Sequence, residues 1–141
     1  MEKVKNDILE NEKTSPILSY GKSKDFNEKQ LKASGKNYII LRLGSVYGYS
    51  TDTARIDIMV NFFSKMASQD GTLRLFAGGR QLKSLVPLID VARCFKFMEE
   101  REDLSSDIFN LTKDTVTVKE VAEICKKYNP NIELKETNDE G

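Results

Sequence analysis

The 141 residues contain no histidine and no tryptophan, only two cysteines and only three prolines. Without histidine, Ser-His and Cys-His nucleophile systems are excluded. With two cysteines and no imidazole, a thiolate or imidazole zinc site has too few ligands. No apolar run approaches the 18 residues that a membrane-spanning helix needs. The opening Met1-Glu2-Lys3-Val4-Lys5-Asn6 lacks the apolar stretch of a signal peptide. Net charge is absent as well. Lys+Arg and Asp+Glu each total 22. No global basic field exists, and no Lys/Arg block suits a nucleic-acid or membrane surface. No glycine-rich strand-turn-helix of the G-x-x-G-x-x-G or G-x-G-x-x-G kind occurs, so no pyrophosphate-binding turn is legible. The two cysteines, Cys94 and Cys125, fall in helical patterns far apart in sequence. They read as reduced, buried thiols of a cytosolic protein.

What is present reads as a globular α/β chain, 39% apolar and 31% charged, long enough for one domain with a core. Residues 1–18 are charged and weakly patterned, and read as an irregular lead-in. Ser19 is the expected cap of a helix over 19–34, with Phe26, Gln30, Leu31 and Ala33 as its modest stripe and Gly35 just past its end. Tyr38 to Leu43 is short, nearly all apolar and partly β-branched, as a strand buried on both faces of a parallel sheet would be. It enters a small-residue loop, Gly44 to Ser50. Loops at the carboxyl ends of such strands are where open α/β sheets bind ligands. Residues 55–69 carry Ile56, Met59, Phe62, Phe63 and Met66 at helical spacing, a core stripe by default.

Leu73 to Phe76 alternates as a strand, Ala77-Gly78-Gly79 turns, and Ser84 to Val86 is a second strand ended by Pro87. Asp90 is the expected cap of a helix over 91–98. A strand follows at 107–111. Thr117 and Glu120 stand at capping-box spacing before a helix that turns Val118, Val121, Ala122 and Cys125 inward. Asn129-Pro130 stops it, Ile132 to Leu134 reads as a last strand, and an acidic tail closes the chain. Alternating strands and helices give the α/β class.

The chemistry centres on Ser19-Tyr20-Gly21-Lys22-Ser23-Lys24. A phenol and an ammonium four residues apart share one helix face. A nearby ammonium favours phenolate, which makes Tyr20 a candidate general acid/base with Lys24 as its electrostatic helper. Taken alone, the pair also reads as an exposed Tyr and a solvated Lys on a surface helix.

Its context resembles the second half of the NAD-dependent epimerase/dehydratase family, the extended short-chain dehydrogenases/reductases that act on nucleotide sugars. Pro16 to Lys24 with Glu28 resembles that family's P-x-x-x-Y-G-x-S-K…E segment, and Arg42 to Gly48 its R-x-x-N-V-Y-G loop. Leu73 to Asp90 aligns without a gap to L-x-V-Y-G-D-G-x-Q-x-R-D-F-V-x-V-D-D. Asp107 to Leu111 resembles its V-Y-N-I strand, and Thr117 opens the helix that follows. Five matches in order, at family-like spacing, make the resemblance specific.

The resemblance implies an incomplete Rossmann-like fold. Residues 19–50 would be a remnant of the Rossmann-like domain, 51–135 the substrate-binding region and 136–141 a tail. Tyr20 would move a proton at a sugar hydroxyl or ketone while NAD or NADP takes or returns a hydride. Lys24 would hold the nicotinamide ribose. Leu43, Ser45 and Val46 would border nicotinamide and substrate, Leu75 and Phe76 would line the nucleotide pocket, and Lys83 would meet the diphosphate. Ser45 replaces the family's Asn, Lys83 its Arg, Ala77-Gly78 its Gly-Asp, and Ile89 an acidic residue. The family's cofactor-binding half is not in these residues, nor is its hydroxyl partner for the Tyr, since Thr14 and Ser15 lie too close. Three expectations follow: half of a nucleotide-sugar epimerase or dehydratase completed by an N-terminal half, inactive by itself; a non-catalytic remnant that binds a nucleotide sugar or a partner, for instance as a homodimer; or a truncated chain that never folds fully.

Overall fold

Eleven α-helices and β-strands follow one another among the residues described, 8–51 and 55–139 of a computed structural model. They are α1 (Ser19–Ala33), β1 (Ile39–Leu43), β2 (Ser45–Tyr47), α2 (Met59–Ser68), β3 (Thr72–Phe76), β4 (Leu82–Pro87), α3 (Leu88–Glu99), β5 (Asp107–Leu111), β6 (Asp114–Thr117), α4 (Val118–Tyr128) and β7 (Glu133–Thr137). The fold is α/β. By contacts the chain divides into two compact units, one ending at Leu43 and including Ala92–Leu111, the other running from Gly44 to Val91 and onward from Thr112.

In the first unit, β1 pairs in parallel with β5, from Ile39↔Asp107 to Leu43↔Leu111. Among the described residues Ile40 is its one buried apolar side chain, and α1 buries no residue at all. The stripe of α1 is therefore unburied: Phe26 is 59% exposed. The helix begins differently from the sequence expectation. Leu18, not Ser19, is the N-cap residue, and no side chain caps it. Gly35 does sit just past the helix end, at φ +69°.

The second unit owns the core. Phe63, Ala67, Leu73, Leu75, Leu85, Val118, Val121, Ala122 and Ile132 form one buried cluster. Leu73, Leu75 and Ile132 are at most 1% exposed, and each such burial stabilises by about 1.5–3 kcal/mol. Two small sheets frame it. β4 lies between β2, in parallel, and β6, antiparallel; β3 pairs in parallel with β7.

Helix α4 opens with a complete capping box. The Thr117 side chain accepts from the Glu120 amide at 3.1 Å, and the Glu120 carboxylate accepts from the Thr117 amide at 2.6 Å. Strand β2 lies in the stretch expected to be a loop, and β6 has no counterpart among the expected elements. Each is only three or four residues long, and each is held by β4 rather than by its own pattern. Helix α3 starts at Leu88, so Asp90 lies in its first turn instead of capping it. β7 extends through Glu136 and Thr137, residues expected in the tail.

Candidate functional site

In the first unit the site is built on α1. Tyr20 and Lys24 stand one turn apart, and the Lys24 ammonium lies over the phenol ring, 5.3 Å from its centroid. Tyr20 is 74% exposed, so its hydroxyl is open to a ligand. The Ser23 hydroxyl donates to the Tyr20 carbonyl at 2.8 Å.

The helix is moored lower down. Arg42 on β1 donates to both oxygens of Glu28, at 2.9 and 2.7 Å, and to the Glu10 carbonyl at 3.1 Å. This forked pair is about four-fifths buried. The Arg42 hydrogen bond holds the Glu28 carboxyl below its ordinary range, against the opposing effect of burial. The Glu10 carboxylate in turn accepts from the Asn110 amide on β5 at 3.0 Å, and the Asn110 side chain donates to the Ile8 carbonyl at 2.9 Å. The Thr14 hydroxyl donates to Asp25, which also binds Lys29 at 2.7 Å. Residues 8–14 are thus tied to α1, β1 and β5, although they carry no helix or strand. Glu28 and Arg42, noticed in the sequence as parts of two separate motifs, are one contact.

In the second unit a cavity of ≈ 990 Å³ opens beside α2. One wall is apolar and aromatic, with Met59, Phe62, Phe63 and Met66 from α2. The other comes from β3, β4 and the turn between them, where Thr72, Arg74, Phe76, Gln81 and Lys83 line the space. The alternation of β3 explains the sorting: Leu73 and Leu75 enter the core, while their neighbours face the cavity. Leu75, expected at the nucleotide, is therefore a core residue, while Phe76 and Lys83 stand on the cavity wall. The stripe of α2 is likewise shared. Phe63 is buried, but Phe62 is 42% exposed and lines the cavity.

Arg74 was passed over in the sequence, although the same alternation would have put it on the face of Phe76. Gln81 donates to the Phe76 carbonyl at 3.0 Å and so braces the turn between the strands. Three successive residues of that turn are left-handed: Ala77, Gly78 and Gly79 have φ of +47°, +65° and +68°.

Leu43 ends β1 in the first unit and is 43% exposed. In the second unit, Ser45 is exposed and Val46 half-buried, on β2 opposite Leu85 and Val86. Gly44 precedes them because a Cβ there would stand 2.7 Å from the Ser84 carbonyl oxygen. The Gly48 amide donates to Asn61 at 3.1 Å, which fixes the loop against α2.

For a dinucleotide cofactor the fit is poor. Among the described residues, β4 runs directly into α3 and β6 into α4, and neither passes through glycine. Neither of these two turns offers closely set glycine amides to a pyrophosphate. These residues could touch a nicotinamide ribose through Tyr20 and Lys24, but they do not cradle the whole cofactor. The described residues also hold no cluster of three metal-ligating groups, and no helix among them is long and apolar enough to cross a membrane.

Known proteins place these features. No curated protein matches the sequence. The family described as the RmlD substrate binding domain matches residues 3–79, more than half of the chain. Among solved structures, UDP-glucose 4-epimerase of the hyperthermophilic eubacterium Thermotoga maritima, with UDP-glucose, superposes with a TM-score of 0.75 at 23% identity, over 92% of this chain and 46% of that one. UDP-glucose 4-epimerase of Thermus thermophilus, in complex with NAD, gives 0.71 at 21%, over 92% and 46%. An NAD-dependent NDP-hexosamine 5,6-dehydratase involved in tunicamycin biosynthesis gives 0.77 at 22%, over 94% and 44%. The chain spans less than half the length of each. By its matched residues, the chain belongs to the RmlD substrate binding domain family, and its fold is the one seen in these epimerase and dehydratase structures.

Proposed function

We propose that this chain supplies the acid/base dyad and the substrate-binding region of an NAD(P)-dependent nucleotide-sugar epimerase or dehydratase. The observation that carries the reading is the cavity wall of the second unit, where Phe76 and Lys83 flank ≈ 990 Å³ bordered by apolar and aromatic side chains. An aromatic and apolar pocket with a few polar groups and a cation is what a nucleotide with a phosphate tail requires. On this reading Tyr20 gives and takes the proton at a sugar hydroxyl or ketone, and Lys24 stabilises the phenolate as the proton leaves. Ser45 and Val46 border the sugar. Hydride chemistry belongs to a nicotinamide whose pyrophosphate is held by residues beyond those described here, in an N-terminal half.

The test is calorimetric titration of the chain with UDP-glucose and with NAD, repeated after co-expression with a dinucleotide-binding half from a family member. UDP-glucose binding by the chain alone, and turnover only in the joined protein, are expected. Tyr20→Phe in the joined protein should abolish turnover without loss of stability, because Tyr20 buries little. Absence of both UDP-glucose binding and turnover would sink the reading.

A second, non-catalytic reading is favoured by one observation: α1 buries nothing and exposes Phe26 and Leu31. Such a face suits a partner or a second copy of the chain. Sedimentation at increasing concentration separates the two; a clean monomer with no ligand removes the second reading.

A further inference from the structure

The β3 face of the cavity carries a charge arrangement that the packing of the unit does not require. Arg74 lies between Thr72 and Phe76 on that face and lines the cavity, as does Lys83 from β4. Neither has an ion pair or hydrogen bond from its side chain among the described residues. The third ionisable group on the wall, Asp57, is already neutralised by Arg55, whose guanidinium meets both of its oxygens. The cavity wall therefore holds two unbalanced cations.

The strand pairing sharpens the point. Arg74 is in direct register with Lys135 on β7. Paired residues of adjacent strands point to the same side, and like charges directly opposite are destabilising. An acidic residue at 135 would have given Arg74 a partner; Glu133, two pairs along, accepts from the Thr72 hydroxyl at 3.1 Å. The arrangement gives up a stabilising pair and leaves a guanidinium free beside an aromatic pocket. A planar fork with several donors suits two oxygens of a phosphate better than a lone ammonium does.

We propose that Arg74 is a phosphate-binding residue of this cavity, gripping together with Lys83 the diphosphate of a nucleoside diphosphate ligand, with Lys135 in register keeping its guanidinium free for that role. This rests on the nucleotide-sugar reading of the same cavity and adds to it a residue and a division of labour. Arg74 takes the phosphate oxygens as a fork, and Lys83 supplies a point charge from β4, which lines the same cavity.

The test is titration calorimetry of the chain with uridine, UMP, UDP and UDP-glucose, for the wild type and for Arg74→Gln, Lys135→Glu and Lys83→Arg. Arg74→Gln is expected to weaken UDP by about tenfold or more, the loss of a charged hydrogen-bonding pair, while leaving uridine unchanged. Lys135→Glu should weaken UDP in the same direction by handing Arg74 an internal partner. Lys83→Arg added to Arg74→Gln should recover part of the loss, since it returns a fork to the same cavity. Circular dichroism checks that each variant is folded; all three positions are exposed, so each should be.

If UDP binds the wild type and Arg74→Gln equally, the inference falls and the nucleotide-sugar reading stands. If Arg74→Gln weakens uridine as much as UDP, the residue acts on the nucleoside and the phosphate role is refuted. If the wild type binds neither UDP nor UDP-glucose, the reading of the cavity fails, and the inference with it.

Discussion

The turn between β3 and β4 joins two strands of the cavity wall, and its three left-handed residues should respond to substitution with different signs. Ala77, Gly78 and Gly79 all lie in the left-handed region, at φ +47°, +65° and +68°. An L-residue there loses about 1–2 kcal/mol to the clash of its Cβ with backbone. Ala77 already bears that strain, so Ala77→Gly removes it. The gain is reduced by the added freedom of the unfolded chain, about 0.4–1 kcal/mol. A net stabilisation of about 0.5–1 kcal/mol is expected.

At Gly78 a Cβ would meet only the Glu136 carboxylate, at 3.7 Å, so Gly78→Ala should show the backbone effect alone, about 1 kcal/mol of destabilisation. At Gly79 a Cβ would stand 3.0 Å from the Lys119 amide nitrogen, 3.1 Å from its Cβ and 3.2 Å from its Cα. Those atoms belong to the first turn of α4, fixed by the capping box, and cannot swing aside as a side-chain tip could. Overpacking then adds about 1–3 kcal/mol to the backbone effect, for a total of about 2–4 kcal/mol. Urea unfolding followed by circular dichroism reads all three, with unchanged m-values required for the comparison. In a unit of this size each kcal/mol moves the melting point by about 4–8 °C. Destabilisation by Ala77→Gly, or equal losses at 78 and 79, would refute the reasoning.

Other expectations follow from the same packing. The Glu28 carboxyl is held below its ordinary range by Arg42, so its contribution to stability is present above about pH 4.3, where unfolded Glu is ionised, and is lost as pH falls through the lower folded value. Glu28→Gln should therefore lower the unfolding free energy at pH 7 by about 1 kcal/mol, as for a pair that is partly screened, and the gap should narrow toward pH 3. Thr117→Ala should cost about 1 kcal/mol through the lost cap of α4, and Thr117→Ser should be nearly neutral in the same assay. Leu75→Ala should destabilise by about 2–5 kcal/mol because its side chain is 1% exposed within the core. Phe76→Ala, one residue along on the cavity face, should instead lower UDP affinity in calorimetry and shift stability far less.

The parts of the fold legible in the sequence are those whose signal is local. The span of α1, Gly35 beyond its end, β1, the capping box of Thr117 and Glu120, and the burial of Val118, Val121 and Ala122 all rest on periodicity or on a pattern a few residues long. Elements that rest on a neighbour were not legible. β2 and β6 are too short to declare themselves and exist because β4 supplies their hydrogen bonds. The start of α3 at Leu88 ignores the capping signal of Asp90, because the helix follows directly from the end of β4.

Of the candidate site, the sequence by itself determined the inventory: Tyr20 and Lys24 one helical turn apart, a cation at 83, an aromatic at 76, and no glycine-rich turn for a pyrophosphate. Composition and spacing suffice for such statements, because they concern which groups exist and how far apart a regular element sets them. Tertiary structure alone decided which side each group faces and what it meets. It turned Leu75 inward and Arg74 outward, joined Glu28 to Arg42 across fourteen residues, and tied Glu10 to Asn110 across a hundred. A hydrogen bond between distant residues depends on the whole path of the chain between them, and no window of sequence contains that path.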